Sequence, residues 1–410
     1  MNGTIKLMAP LAAALAIAAC NGGYSAMPGT SGSTGQAGLA QSRLPDWIMK
    51  HSATPACAQV VGRPTCLALI ESRGRISPTV AGWAPIDFQT RYHLPSGTKG
   101  AGQIVAIVDA YDNPNVATDL ATYRTNFGLG TANFTKYNQN GQTSGFPSGS
   151  TGWGVEIDLD VEMVSAACPK CTIYLIEANG ADNTDLETAE DTAVKKLGAH
   201  IVSNSWICYG SLNCGDPNFS THFNTKGVVY LASSGDAGYN QNGVPEVLST
   251  VVSVGGTVLS KTGSTYSEAV WNGAGGGCSS NGGSMGITKP TWQHDPSCTW
   301  RTDSDVSAVA WDAAEYDSYG YGGWITIGGT SVASPLNGGV FGLAGNASTQ
   351  NAASRFWSVL QRKRNNNLHY IKVGNDGTCG GSYLCTAGTK QFKTYSGPAG
   401  WGTPSGIGLY

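Results

Sequence analysis

The run Gly102-Gln103-Ile104-Val105-Ala106-Ile107-Val108-Asp109 constrains this chain more than any other stretch. Its apolar, largely β-branched residues are continuous rather than alternating. Such a strand is buried on both faces, as the core of a parallel sheet requires. Asp109 closes it, followed by Tyr111-Asp112-Asn113-Pro114. In α/β sheets functional groups gather at the C-terminal ends of strands, although an aspartate there also serves as a turn residue capping the next helix. Similar strands follow in Thr172-Ile173-Tyr174-Leu175-Ile176-Glu177-Ala178, in His200-Ile201-Val202-Ser203-Asn204-Ser205-Trp206, and in Gly227-Val228-Val229-Tyr230-Leu231-Ala232-Ser233-Ser234-Gly235-Asp236-Ala237-Gly238. Leu248-Ser249-Thr250-Val251-Val252-Ser253-Val254-Gly255-Gly256-Thr257 is a further strand and turn, and residues 182–198 read as a helix, polar at its start and apolar at its end.

A different unit stands near the end. The β-prone Trp324-Ile325-Thr326-Ile327 leads into Gly328-Gly329-Thr330-Ser331-Val332-Ala333-Ser334-Pro335, and a small-residue apolar segment to Gly345 reads as a buried helix. Strand, glycine turn, serine, helix is a way to present a nucleophilic hydroxyl. The glycines permit the tight turn, and the free N–H groups at the helix start favour a developing anion. The same serine is equally suited to capping the helix.

A base must serve such a serine. In Gly154-Val155-Glu156-Ile157-Asp158-Leu159-Asp160-Val161-Glu162-Met163-Val164-Ser165-Ala166-Ala167, Val155, Leu159, Met163 and Ala166 form one helical stripe. Glu156 and Asp160 are four apart and therefore neighbours on one face. Two carboxylates held so close share a proton, which suits acid–base work in acid. An exposed acidic first turn is the competing reading, and it is the one expected for Asp158 and Glu162.

The chain has 410 residues, 57 of them glycine, with 12% charged residues and a formal net charge of −3. That is a loop-rich globular profile with no electrostatic case for nucleic acid. Lys6 followed by apolar residues 7–19 and Cys20 reads as an export signal, too short to span a bilayer as a mature helix. Its end, Ile17-Ala18-Ala19-Cys20, resembles a bacterial lipobox, which implies lipidation of Cys20 and attachment to the cell envelope. Of eleven cysteines, those other than Cys20 fall in order as close pairs: Cys57/Cys66, Cys168/Cys171, Cys208/Cys214, Cys278/Cys298 and Cys379/Cys385. An even set in an exported chain reads as disulfides, with neighbour pairing the simplest connectivity. Residues 21–45 are a Gly/Ser/Thr/Ala-rich tether, and residues 44–98 show weak, mixed patterning, with a short helix expected over residues 86–95.

Gly-Thr-Ser-x-x-x-Pro at residues 329–335 resembles the nucleophile motif shared by the subtilisins and the sedolisins, the serine-carboxyl peptidases. Subtilisins take a histidine base from a His-Gly-Thr context, and none of the six histidines here has it. Sedolisins take a carboxylate pair. The Glu-x-x-Leu-Asp segment ending at Asp160, followed by a Pro-containing turn and the strand at 172–178, is similar to the sedolisin segment that carries it. The resemblance implies a subtilisin-like, doubly wound α/β fold, a mainly parallel sheet with helices on both faces. It further implies Ser331 as nucleophile, Glu156 as its base and Asp160 as the residue orienting Glu156. Ser-x-Gly-Asp-x-Gly at 233–238 matches the family motif whose aspartate, here Asp236, donates to the oxyanion, which it can do only while protonated. Asp109 stands where the family usually has a supporting glutamate. Trp206 matches the family's Ser-x-Ser-Trp, whose tryptophan lies beside the acids; as a residue it is equally an aromatic packed on the sheet. Asp305, in a stretch similar to Pro-Asp-Val-Ser-Ala, is expected to be structural. The glycine-rich residues 273–283 lack the features of a phosphate cradle and read as a substrate-facing or structural loop.

The chain departs from the family at its calcium site. Tyr370 and Ser396 stand where two aspartate ligands are expected, Lys372 is nearby, and calcium requires several hard oxygens. No metal or other cofactor is therefore expected, with the Cys379/Cys385 loop and packing holding this end together; Asp376 could serve as a ligand only after a shift of register. The expected organisation is a signal peptide over 1–20, a tether and short prosegment or lead-in over 21–98, and a peptidase domain over 99–410. The expected protein is a monomeric, exported serine endopeptidase acting on polypeptides, lipid-anchored or secreted. The alternative is an inactive surface protein of the same fold that binds peptides or proteins.

Overall fold

The structure, a computed structural model, describes residues 53–60, 62–71, 80–209, 214, 218–279, 287–349, 352–360 and 367–410. The expected signal peptide, Cys20 and the tether over 21–45 lie outside the described residues.

Among the described residues the central sheet has eight strands. Its order is Thr265–Val270, Val251–Thr262, Val229–Ser233, Ile201–Asn204, Ile104–Ala110, Thr172–Ala178 and Asn133–Asn138, with Val306–Val309 also paired to Val251–Thr262. All pairs are parallel except the hairpin between Val251–Thr262 and Thr265–Val270. The first central strand, Ile104–Ala110, sits in the middle. The chain then fills one side of it and returns to build the other. This is a topological switch point, and in open α/β sheets the crevice beyond the strand ends at such a point receives ligands. Asp109 lies there.

The continuous apolar run of this strand divides by the two-residue period of a β-strand. Val105 and Ile107 join one core with the helices Thr151–Ala167 and Thr330–Ala344. Ala106 and Val108 join another with Leu186 and Ala189 of the helix Asn183–Asp191 and with Phe219 and Phe223. Both faces are covered, as the doubly wound fold requires. Helix Pro85–Arg91 begins one residue before the expected 86–95 stretch and ends at Arg91, short of its expected end.

Two long helices meet on the first face. Thr330–Ala344, the serine helix, is buried along nearly its whole length, and small residues let it approach Thr151–Ala167, the acid helix. A Cβ on Gly339 would lie 2.6 Å from Ala167 Cβ, and one on Gly342 2.5 Å from Cys171 Sγ. The five neighbour disulfides are all formed, Cys57–Cys66, Cys168–Cys171, Cys208–Cys214, Cys278–Cys298 and Cys379–Cys385.

A second sheet carries the approach to the serine. Ala53–Pro55, Leu69–Glu71, Gly323–Gly328 and Ala313–Asp317 pair in that order, all antiparallel. Part of the weakly patterned lead-in is thus built into the body of the domain. Among the described residues no helix is long and apolar enough to cross a membrane.

Candidate active site

Four sequence-distant elements deliver the site. Ser331 is the second residue of the serine helix, whose N-cap, Gly329, has φ +111°. A Cβ there would be strained in conformation and would stand 2.0 Å from Leu67 O, so glycine is required. Ser331 is fully buried, and its Oγ donates to Ser205 O at 3.4 Å.

Glu156 and Asp160 lie one turn apart on the acid helix, both fully buried. Asp160 Oδ1 accepts from Ser205 Oγ at 2.7 Å. Glu156 Oε1 and Asp160 Oδ2 are buried with no hydrogen-bond partner, and two neighbouring carboxyls so enclosed do not both ionise. Burial drives both far above the ordinary carboxylate range, and the charge of Asp109 pushes them further. The Ser331 hydroxyl opposes that rise in Glu156, because it favours the charged form. Asp109 arrives from the end of the central strand, fully buried and with neither carboxyl oxygen hydrogen-bonded, and burial raises it too. Three carboxyls from two elements therefore share fewer than three charges.

Asp236 comes from the turn after Val229–Ser233. Its Oδ1 accepts from Thr330 N and Thr330 Oγ1, both at 2.8 Å. The residue is partly exposed, yet Oδ2 is closed off from solvent and has no partner. Burial raises its carboxyl to about 7, against the lowering effect of the two Thr330 bonds. The structure thus gathers Ser331, Glu156, Asp160, Asp109 and Asp236 at the C-terminal end of the sheet. A hydroxyl beside a proton-sharing carboxylate pair can lose its proton to that pair. A protonated carboxyl with one free, enclosed oxygen can donate to a developing oxyanion.

Trp206 is placed differently. Its indole N–H donates to Val108 O at 3.0 Å, and its ring packs on Phe219 and Phe223. It is a core aromatic whose indole bonds the backbone next to Asp109. Asp305 is structural as expected: it accepts from Arg301, Trp357 Nε1 and Ser253 N. The glycine-rich loop backs the Asp236 turn, where a Cβ on Gly275 would lie 1.9 Å from Ser234 O.

Asp158 and Glu162 are not an exposed acidic face; both are fully buried. The acid helix is covered on this side as well, by Ala313–Asp317 and by the helix Val116–Phe127, which bring Glu315, Asp317 and Asp119 against it. Asp119, Asp158 and Asp317 place one carboxylate oxygen each within 4.8 Å of one another. Their other oxygens are held by Ser318 N, Asn113 Nδ2 and Gly320 N, while Asp119 Oδ1, Asp158 Oδ1 and Asp317 Oδ2 have no partner. Either shared protons or a hard cation satisfies such a group. Sequence reading missed it because Asp119 and Asp317 lie far from the acid helix in the chain.

At the C-terminal end Tyr370 is half-buried, Ser396 is buried, and Asp376 is buried with neither carboxyl oxygen bonded.

The other group that sequence reading missed lies in the lead-in. Glu156 Oε2 accepts from Leu67 N at 2.9 Å and from Ala68 N at 2.7 Å. The only local signal was the short apolar run after Cys66.

No protein-family model matches this chain. Sedolisin of Pseudomonas sp. (strain 101) is 28% identical, over 91% of this chain and 69% of that protein. Kumamolisin of Bacillus sp. (strain MN-32) is 30% identical over 65% of this chain, which spans about half, 52%, of that relative. Among solved structures, Pseudomonas sedolisin (serine-carboxyl proteinase) complexed with two molecules of pseudo-iodotyrostatin superposes with a TM-score of 0.65 at 27% identity, covering 80% of this chain and 96% of that one. Sphericase superposes with a TM-score of 0.51 at 18% identity, covering 80% and 99%, a likeness of fold alone.

Proposed function

This chain is a sedolisin-family serine peptidase with a subtilisin-like fold, and from that premise we propose that it is an exported endopeptidase that works through an acyl-enzyme in acid. Ser331 Oγ attacks the scissile carbonyl carbon while Glu156 takes its proton. The carbonyl electrons move to oxygen, which Asp236 Oδ2–H and a backbone N–H hold. The C–N bond then breaks and Glu156 returns the proton to the leaving amine. Water, activated by the same carboxylate, hydrolyses the ester. Asp160 positions Glu156, and Asp109, itself protonated in acid, closes the far side of the pair.

One observation carries this reading: the Ser331 hydroxyl stands beside the fully buried Glu156 and Asp160 carboxyls, with the unpartnered Asp236 Oδ2 nearby. Acid operation follows from Asp236, a neutral donor only below about 7. Five disulfides support an oxidising compartment and hence export, with residues 1–20 as the signal, a lipid on Cys20, a lead-in over 21–98 and the peptidase domain over 99–410. The protein works without calcium at its C-terminal end, where Tyr370 and Ser396 offer no carboxylate and the Cys379–Cys385 loop closes the chain. A calcium-dependent melting temperature abolished by substituting Asp376 would refute that.

The test is hydrolysis of a denatured protein from about pH 3 to 8, spanning carboxylate and histidine titration, by wild type and Ser331→Ala. Acid-peaked activity lost in the variant is expected. No activity at any pH from a folded chain would favour the peptide-binding alternative, and a neutral peak would mean that Glu156 is not the base.

A further inference from the structure

Three elements converge behind the acid helix. Asp158 lies two residues from both Glu156 and Asp160, and so about 200° round the helix from each of them. Asp119 comes to it from the first turn of Val116–Phe127, and Asp317 from the end of the strand Ala313–Asp317. All three side chains are fully buried, and they bring one carboxylate oxygen each within 4.8 Å of one another. Their outer oxygens are anchored. Asp119 Oδ2 accepts from Ser318 N and Oγ, both at 3.0 Å, Asp158 Oδ2 from Asn113 Nδ2 at 2.7 Å, and Asp317 Oδ1 from Gly320 N at 2.7 Å. Donors on one oxygen favour the ionised carboxylate. They also fix its direction, as the outer partners of metal ligands do. The inner oxygens, Asp119 Oδ1, Asp158 Oδ1 and Asp317 Oδ2, have no partner.

Two observations outside the trio point to a ligand between these oxygens. The two-residue period of a strand puts Glu315 on the same face as Asp317, toward the acid helix. Glu315 is fully buried with neither carboxyl oxygen bonded, and the charges it feels most are those of Asp317 and Asp158. Gly320 supplies the second. A Cβ there would lie 2.8 Å from Asp317 Oδ2 and 3.3 Å from Thr151 O, so glycine keeps that free oxygen uncovered beside a backbone carbonyl. Among the described residues, none of the four carboxyls takes part in an ion pair. Buried carboxylates without a paired cation are costly, and a bound metal removes that cost.

We propose that Asp119, Asp158 and Asp317 bind a calcium ion, with Glu315 as a fourth carboxyl at the site. The donor set is all oxygen, which selects a hard cation over zinc or copper. Magnesium keeps several of its waters, and a site enclosed by three elements has little room for them. Calcium takes about six to eight oxygens at about 2.3–2.6 Å in flexible geometry, so water and a carbonyl such as Thr151 O complete the shell. The ion offsets two of the negative charges. It ties the helix Val116–Phe127 and the second sheet to the acid helix, on the side away from Glu156 and Asp160. The site is separate from the C-terminal end with Tyr370 and Ser396, and it stands whether or not Ser331 is a nucleophile.

The test uses the full chain carrying Ser331→Ala, so that proteolysis does not enter. The protein is stripped with a chelator and dialysed against calcium alone at about pH 7, because protons compete for the same oxygens. The expected result is one calcium per chain with a Kd of about 10⁻³ M or tighter, and a melting temperature raised by about 2 °C or more at saturation. Asp317→Asn should weaken binding at least about tenfold. Gly320→Ala, which changes no charge, should weaken it too by crowding Asp317 Oδ2. Asp376→Asn, at the C-terminal end, should leave binding unchanged. Circular dichroism checks each fold, and Asp119→Asn takes the place of Asp317→Asn if that variant does not fold. No calcium bound at about 10 mM overturns the proposal. So does binding that survives Asp317→Asn and Gly320→Ala, or that is lost in Asp376→Asn. Equal binding of magnesium under the same conditions overturns the assignment to calcium.

Discussion

Asp236→Asn separates a protonated-acid oxyanion donor from any other role for this residue. In the structure Asp236 Oδ1 accepts both Thr330 bonds and Oδ2 is enclosed without a partner. Asparagine keeps the first oxygen and puts an amide donor in place of the second, at every pH. The wild-type carboxyl is raised to about 7. About one molecule in ten keeps the proton a unit above that pKa and about one in a hundred keeps it two units above. Losing an oxyanion donor costs about 10²–10³ in kcat. Wild-type kcat/KM should therefore fall about tenfold per unit above its shoulder and level off about 10²–10³ below the plateau. In Asp236→Asn that limb should move up by about one unit or more, and the acid limb should stay where it is, because Asp236 is already uncharged there. Asp236→Ala should lose about 10²–10³ at all pH values. The assay is kcat/KM on a quenched peptide, over the pH range in which circular dichroism is constant. An Asp236→Asn profile with the wild-type alkaline limb would refute the donor role.

Two further predictions concern stability. Asp236 is raised to about 7, Glu177 to about 9, and Asp158, Glu162 and Glu315 well above the ordinary range, all chiefly by burial. A carboxyl raised on folding binds its proton more tightly in the folded state. Its stabilisation is full below the unfolded value near about 4 and is lost as pH rises through the folded value. The melting temperature should therefore fall steadily from mildly acidic to alkaline pH, and calorimetry showing a rise would contradict this. Arg301→Met should cost about 3–5 kcal/mol in denaturant unfolding, because it strands buried Asp305, 2.6 Å from the guanidinium, and Asp303; a loss below about 1 kcal/mol would mean that the network is not paired as described.

Much of the site was legible before any fold. The continuous run at 102–109, the glycine turn before Ser331, the i, i+4 spacing of Glu156 and Asp160, and the close cysteine pairs are local patterns. Backbone sterics and side-chain period act over a few residues, so such features survive in one dimension. Trp206 marks the limit, since its residue type could not tell whether it faces the acids or the aromatic core.

What the tertiary structure alone decided is convergence and enclosure. Asp158 and Glu162 looked exposed because a helical stripe identifies one buried face. They are buried because a second sheet and the helix Val116–Phe127 cover the other face, and those partners come from distant parts of the chain. The place of residues 65–70 was likewise illegible: their strand partners are Trp206, Ile207, Ile327 and Gly328, and hydrogen bonds between remote backbones leave almost no mark on composition. By itself the sequence determined which groups could do chemistry and in what local frame. Only the packed fold decided how closely they meet and how far water is shut out to raise their carboxyls.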